Sequence, residues 1–209
     1  TADTFDWAQA VTNPGSDAIN ATGLAASSKA VYVSGSTNNG STFPGGAAVS
    51  GGADQSDFAY LARLSPANGN TTWCRTMQSP GGPSNTQSGR TIATDSHGEV
   101  LLGGTYKSDL TLPNGQLLSG ASDQQVFLAK FNGSGTLKWA VTPAGQGDDM
   151  PNAVAVDGSG GVYIAGSYKK DITFNAAFSD DAAQPHYIAK LHDLDFAVAA
   201  FRDPSEFSA

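Results

Sequence analysis

Three tryptophans stand 66 residues apart, at Trp7, Trp73 and Trp139. Their settings are related: Phe5-Asp6-Trp7-Ala8, Thr71-Thr72-Trp73-Cys74 and Leu137-Lys138-Trp139-Ala140. A fourth copy, with Phe in place of Trp, follows at Leu194-Asp195-Phe196-Ala197. Self-similarity at a fixed period implies repeated supersecondary units, each of which needs neighbours to bury its apolar faces.

Between the tryptophans three more segments recur in order. The first reads Gly23-Leu24-Ala25-Ala26, Ile92-Ala93-Thr94-Asp95 and Val154-Ala155-Val156-Asp157. The second begins five residues after each of these ends, at Val31-Tyr32-Val33-Ser34-Gly35, Val100-Leu101-Leu102-Gly103-Gly104 and Val162-Tyr163-Ile164-Ala165-Gly166. The third reads Tyr60-Leu61-Ala62-Arg63-Leu64, Phe127-Leu128-Ala129-Lys130-Phe131 and Tyr187-Ile188-Ala189-Lys190-Leu191. Each is short, rich in β-branched and aromatic residues, and bounded by Gly, Asn, Asp or Ser, which are strand signals. Ser96-His97-Gly98, Gly158-Ser159-Gly160 and Asn132-Gly133-Ser134-Gly135 supply hairpin chemistry between them. The recurring Gly35, Gly104 and Gly166 predict a close approach of another backbone.

Composition agrees with an all-β chain. Only 14% of residues are charged and 25 are Gly, so long helices are not expected, while 39% hydrophobic content in regular segments argues against disorder. A net charge of −8 argues against a phosphate-binding surface built from clustered Lys and Arg, and with it against a nucleic-acid partner. No apolar run is long enough to span a bilayer. No secretory signal is visible, which fits a mature chain with any export signal removed. The single Cys74 excludes an internal disulfide and a cysteine-based metal cluster.

At these segments the chain resembles the bacterial SBBP β-propeller repeats, in which an Ile-Ala-Val-Asp strand, a Val-Tyr-Val-Thr-Gly strand, a Phe-Val-Ala-Lys strand and a Leu-x-Trp-Ala strand succeed one another. The third repeat is nearest to that pattern, and the first departs most, with Ala26 in place of the Asp and Arg63 in place of the Lys. The resemblance runs from Phe5 to about Phe201 and implies a secreted or cell-surface bacterial protein with no shared catalytic residues. The expected fold is all-β and propeller-like. It comprises three four-stranded antiparallel blades in one domain, with repeats of approximately residues 12–76, 77–143 and 144–201, preceded by a lead-in strand at Phe5–Val11. Propellers close with four to eight blades. Three blades therefore imply more chain, a ring of two chains, or head-to-tail pairing of open edges.

The candidate site residues each have a structural explanation. Asp95 and Asp157 precede tight turns and could ligate Ca²⁺, but one carboxylate per turn fits an Asx turn better. Asp148-Asp149 and Asp180-Asp181 are acidic pairs read as solvated loop surface rather than acid–base or metal sites. His97, His186 and His192 cannot converge on zinc, since His186 and His192 flank one strand about 20 Å apart. No Gly-x-Ser-x-Gly elbow occurs at Gly158-Ser159-Gly160 or elsewhere. Cys74 reads as a small core residue. Trp7, Trp73 and Trp139 read as packing anchors rather than sugar platforms. Arg63, Lys130 and Lys190 hold equivalent positions whose facing the sequence leaves open. The sequons at Asn20, Asn39, Asn70 and Asn132 fit chance in so Asn- and Ser-rich a chain. No catalytic, cofactor or metal residue is therefore assigned. The expected function is a binding or scaffolding module that presents Ser36–Asp57, Lys107–Asp123 and Lys169–Pro185 to a protein or glycan. A self-assembling structural subunit is the alternative, and a loop-borne hydrolase or lyase site the third.

Overall fold

The computed structural model describes residues 5–13, 19–38, 40–49, 57–80, 86–174, 177–180 and 185–191. Within them every regular element is a β-strand, and the same plan is used three times. The first unit contains β1 (Asn20–Ser27), β2 (Ala30–Thr37), a small hairpin of β3 (Thr42–Phe43) and β4 (Ala47–Ala48), then β5 (Phe58–Leu64) and β6 (Thr71–Met77). The second contains β7 (Ser88–Thr94), β8 (Val100–Lys107), the small hairpin β9 (Leu110–Thr111) and β10 (Leu117–Leu118), then β11 (Gln124–Phe131) and β12 (Leu137–Val141). The third contains β13 (Ala144–Gln146), β14 (Met150–Val156), β15 (Val162–Ser167), the small hairpin β16 (Lys170–Thr173) and β17 (Ala177–Asp180), then β18 (His186–Leu191). The long strands form antiparallel sheets in the orders β1-β2-β5-β6, β7-β8-β11-β12 and β14-β15-β18. The strand expected at Leu194–Ala197 lies outside the described residues.

Register within each sheet is fixed by one device. The first strand bulges between Ala21 and Gly23, between Gly89 and Thr91, and between Pro151 and Ala153. These bulges lie opposite Gly35, Gly104 and Gly166. A Cβ at those glycines would stand 1.7 Å from the Asn20 carbonyl oxygen, 2.5 Å from that of Ser88 and 2.0 Å from that of Met150. Tyr60, Phe127 and Tyr187, their cross-strand partners, press on the same three positions. The close approach that the glycines predict is therefore present in all three units.

The sheets stack. β7 packs on β1, β2 and β5 of the first sheet, and β14 packs on β7 and β8 of the second. Alternation decides which side chains enter each contact. Leu61 and Tyr32 of the first sheet share a core with Ile92, Leu102 and Phe127 of the second. Leu101 and Leu128 of the second share another with Ile164, Tyr187 and Val154 of the third. Tyr60, Ala62 and Leu64, on the opposite face of the first sheet, are covered by Trp7 and Val11.

Two sequence expectations need correction. Phe5–Val11 is not a strand: its neighbour Thr12 makes only an isolated bridge to Thr42, and the segment is held by side chains. Trp7 Nε1 donates to the Pro66 carbonyl at 2.9 Å, and Gln9 Nε2 to that of Asn68 at 2.9 Å. The second correction concerns Ala26. Val31 pairs with Ala26, whereas Val100 and Val162 pair with Thr94 and Val156, so the residue equivalent to Asp95 and Asp157 is Ser27. The first turn is one residue shorter, and the constant five-residue offset hid the slip.

The tryptophans clamp one unit to the next. Trp7 lies over Gly69, and Trp73 over Gly135, each glycine having positive φ in a β5–β6 or β11–β12 turn. Trp73 Nε1 donates to Gly133 O at 3.0 Å, repeating the Trp7–Pro66 bond, and Arg75 repeats Gln9 by donating to the Gly135 and Ser134 carbonyls. These rings are half-buried at the ends of the sheets rather than central in a core. Replacement Gly104→Ala, which must move the Phe127 ring or the Ser88 carbonyl, is expected to cost about 1–3 kcal/mol in urea unfolding. Gly158→Ala, which meets open space, should change stability by no more than about 0.5 kcal/mol.

Candidate functional site

An antiparallel meander sends alternate connections to opposite ends of its sheet, so the stacked sheets have two unlike ends. One end carries the tight turns: Ser27–Ala30, Asp95–Glu99 and Asp157–Gly161 between first and second strands, and Ser65–Asn70 and Asn132–Thr136 between third and fourth. The other carries the three small hairpins, with the acidic residues Asp109, Asp123, Asp148, Asp149 and Asp171.

At the tight-turn end the two aspartates act as turn anchors. Asp95 Oδ1 accepts the His97 and Glu99 backbone N–H groups, both at 2.9 Å, and Asp157 Oδ1 accepts those of Ser159 and Gly161 at 2.9 and 2.7 Å. Ser27 Oγ accepts from the Lys29 N–H in the same manner. The other carboxylate oxygen reaches across to the third strand. Lys130 Nζ lies 3.2 Å from Asp95 Oδ2 and 2.9 Å from Glu99, whose other oxygen is 2.8 Å from Lys138. Lys190 Nζ lies 3.8 Å from Asp157.

These contacts explain why the first repeat departs at two places together. With a hydroxyl at Ser27 there is no carboxylate for a lysine to pair with. Arg63 instead donates to the Lys29 carbonyl and to Thr72 Oγ1. Burial raises the Asp95 carboxyl, but the Glu99 N–H, Lys130 and the His97 N–H outweigh it and hold the group below its ordinary value. Asp157 is lowered to about 2, chiefly by the Ser159 hydroxyl and the Gly161 N–H.

The hairpin end corrects two expectations. The segments expected to be presented to a partner, Ser36–Asp57, Lys107–Asp123 and Lys169–Pro185, contain a fifth recurring motif, Thr42-Phe43, Thr111-Leu112 and Thr173-Phe174, whose apolar member is buried each time. Each threonine pairs with the residue five positions after a tryptophan: Thr12 with Thr42, Gln78 with Thr111 and Ala144 with Thr173. The signal was in the sequence, as Thr-Phe-Pro, Thr-Leu-Pro and Thr-Phe-Asn, but strands of two to four residues are too short to show periodicity. The acidic pair Asp148-Asp149 is likewise not all surface. Asp148 is exposed, but Asp149 is 1% exposed, with Oδ1 accepting the Lys169 N–H at 3.1 Å.

Asp149 sits among other carboxylates. Burial first, then the charges of Asp123, Asp171 and Asp148, lift it to about 7 against the pull of the Lys169 N–H. The surrounding carboxylates serve the backbone: Asp123 accepts from the Gly147 N–H, Asp148 from that of Gln124 and Asp171 from that of Gln146. They act as loop staples. Among the described residues no group of three or more His, Cys, Asp or Glu side chains is placed to hold a metal ion.

The remaining sequence candidates are scattered. His97 is exposed in a tight turn, and His186 begins β18 at the opposite end. His192 and Asp181 lie outside the described residues, and Asp180 ends β17 with its backbone paired to Lys170. Burial pushes the Cys74 thiol up to about 12, so it is held neutral and is a poor nucleophile. Asn132 uses its Oδ1 to accept the Ser134 and Thr136 N–H groups, anchoring a turn as Asp157 does. Asn39 lies outside the described residues.

No protein-family model matches the chain, and no curated protein matches it. Among the described residues no helix is long and apolar enough to cross a membrane.

Lys130→Met leaves the buried Asp95 carboxylate without its cation, and a loss of about 3 kcal/mol is expected at neutral pH in denaturant titration, shrinking as Asp95 protonates in acid. The equivalent Lys190→Met should barely move the midpoint. Asp149 gives the opposite pH signature. Its folded pKa of about 7 exceeds the ordinary carboxylate value, so the folded state holds a proton that the unfolded state has lost, and stability falls as pH rises from about 4 to about 7. Asp149→Asn should flatten that fall and leave the variant more stable than the parent at pH 8; parallel slopes for the two proteins would contradict the assignment.

Proposed function

We propose that the chain is a non-catalytic scaffold built from propeller-type blades of the SBBP kind, exported to the bacterial cell surface, where its hairpin end is presented to a protein or glycan partner. One observation carries this reading: the contact between the first and second sheets is repeated, residue for equivalent residue, between the second and third. A body made by repeating one interface is a stiff platform, and variation is then concentrated at its ends. The turn carboxylates, buried lysine and clamping tryptophans have structural employment, and the buried Cys74 thiol is held neutral, which supports a scaffold. The hairpin tips differ between units while their Thr-Phe or Thr-Leu motifs, each with its apolar residue buried, recur. Pro113, Asn114, Gly115 and Leu117 of the second tip are exposed and supply both apolar and amide contacts.

Binding to arrays of bacterial-surface glycans and proteins tests the reading. Replacing Asn114, Gln116 and Leu117 by Ala should weaken capture at least about tenfold with an unchanged unfolding curve. Capture that survives these changes would move the site elsewhere. Antibody labelling of permeabilised but not intact cells would defeat surface display.

A further inference from the structure

Among the described residues two large apolar side chains on long strands are left bare, and their buried equivalents in the other units are the two halves of one contact. Leu24 on β1 is 72% exposed, and Ile188 on β18 is 78% exposed. Leu24 occupies the position of Ile92 and Val154, as the bulges and pairings show. Ile92 is 9% exposed against the first sheet, and Val154 packs against the second. Ile188 occupies the position of Leu61 and Leu128, which are 0% and 2% exposed beneath the following sheet.

The rest of the third sheet's outer face repeats the pattern. Leu61 pairs with Ser34, Leu128 with Gly103 and Ile188 with Ala165, so a small residue always lies beside the large one. That small residue is the seat for the next first strand. A Cβ on Gly89 would lie 3.1 Å from Ser34 Cβ, and one on Gly103 would lie 3.1 Å from Val154 and 3.6 Å from Pro151. Ala165 is such a seat without a described occupant. Lys190 belongs to the same face and is exposed, whereas the equivalent Lys130 is buried beneath the third sheet with its aspartate.

We propose that the outer face of the third sheet receives the first sheet of a second copy of this chain, head to tail, with Leu24 of the incoming copy entering against Ile188 and Ala165. The chain itself provides the precedent, since the same contact is already made twice within it. The two patches are different surfaces, so the interface is heterologous: repetition closes a ring or continues as a filament according to the rotation per step. This inference is independent of partner binding at the hairpin end, and the two can fail separately.

The test uses two surface variants of the 209-residue chain, Leu24→Asp and Ile188→Lys, with mass followed by sedimentation velocity across a concentration series. The parent should exceed monomer mass as concentration rises. Each variant should weaken association at least about a hundredfold while keeping the parent's circular dichroism and melting curve. An equimolar mixture of the two should then form a species of twice the monomer mass, because the Leu24→Asp copy keeps an intact third sheet and the Ile188→Lys copy an intact first sheet. A parent that stays monomeric at every concentration, variants that associate like the parent, or a mixture that remains monomeric would each overturn the proposal.

Discussion

Everything in this molecule depends on burying both faces of a thin sheet. A four-stranded antiparallel meander with apolar residues on both sides cannot be stable alone in water, and the solution adopted is to lay the next sheet upon it. The contact works because the first strand of each sheet bulges where a glycine faces it, drawing the strand inward until carbonyl and glycine nearly touch. The aromatic side chain of the third strand fills the space beside them. Gly35, Gly104 and Gly166 are therefore a packing requirement. Any side chain there would displace either backbone or ring.

Stacking also sets the electrostatics. Lys130 and Lys190 are the same residue type at the same strand position, facing an aspartate in the same turn. Lys130 is enclosed by the third sheet and forms a short, desolvated pair, whereas Lys190 remains in solvent and sits farther from its carboxylate. Removing water strengthens the attraction and raises the cost of breaking it, so an identical motif carries different energetic weight in successive units. Arg63 shows the third outcome. The shorter turn offers a serine, and the guanidinium turns to backbone and hydroxyl oxygens instead.

The proposed functions divide between the two kinds of surface that stacking leaves. The exposed hairpin tips tolerate change, because their residues contribute little to the inter-sheet contact, and that is where recognition can evolve. Faces do not tolerate change without losing a neighbour. Leu24 and Ile188 retain the apolar character of their buried equivalents although both are bare in the single chain, which is why they point to a partner rather than to solvent.

The repeat, the all-β class, the order of strands and the anchoring role of Asp95 and Asp157 were all legible in the sequence, because each is a local matter of periodicity or turn chemistry. Other features were not. The slip from Ala26 to Ser27 depends on cross-strand pairing that a constant spacing concealed. The small hairpins are too short to carry a period, and Phe5–Val11, though it reads as a strand, is secured by the side chains of Trp7 and Gln9. The burial of Asp149 and the contrast between Lys130 and Lys190 belong wholly to tertiary structure. A residue's own strand decides which way its side chain points, and only the neighbouring sheet decides whether water can reach it.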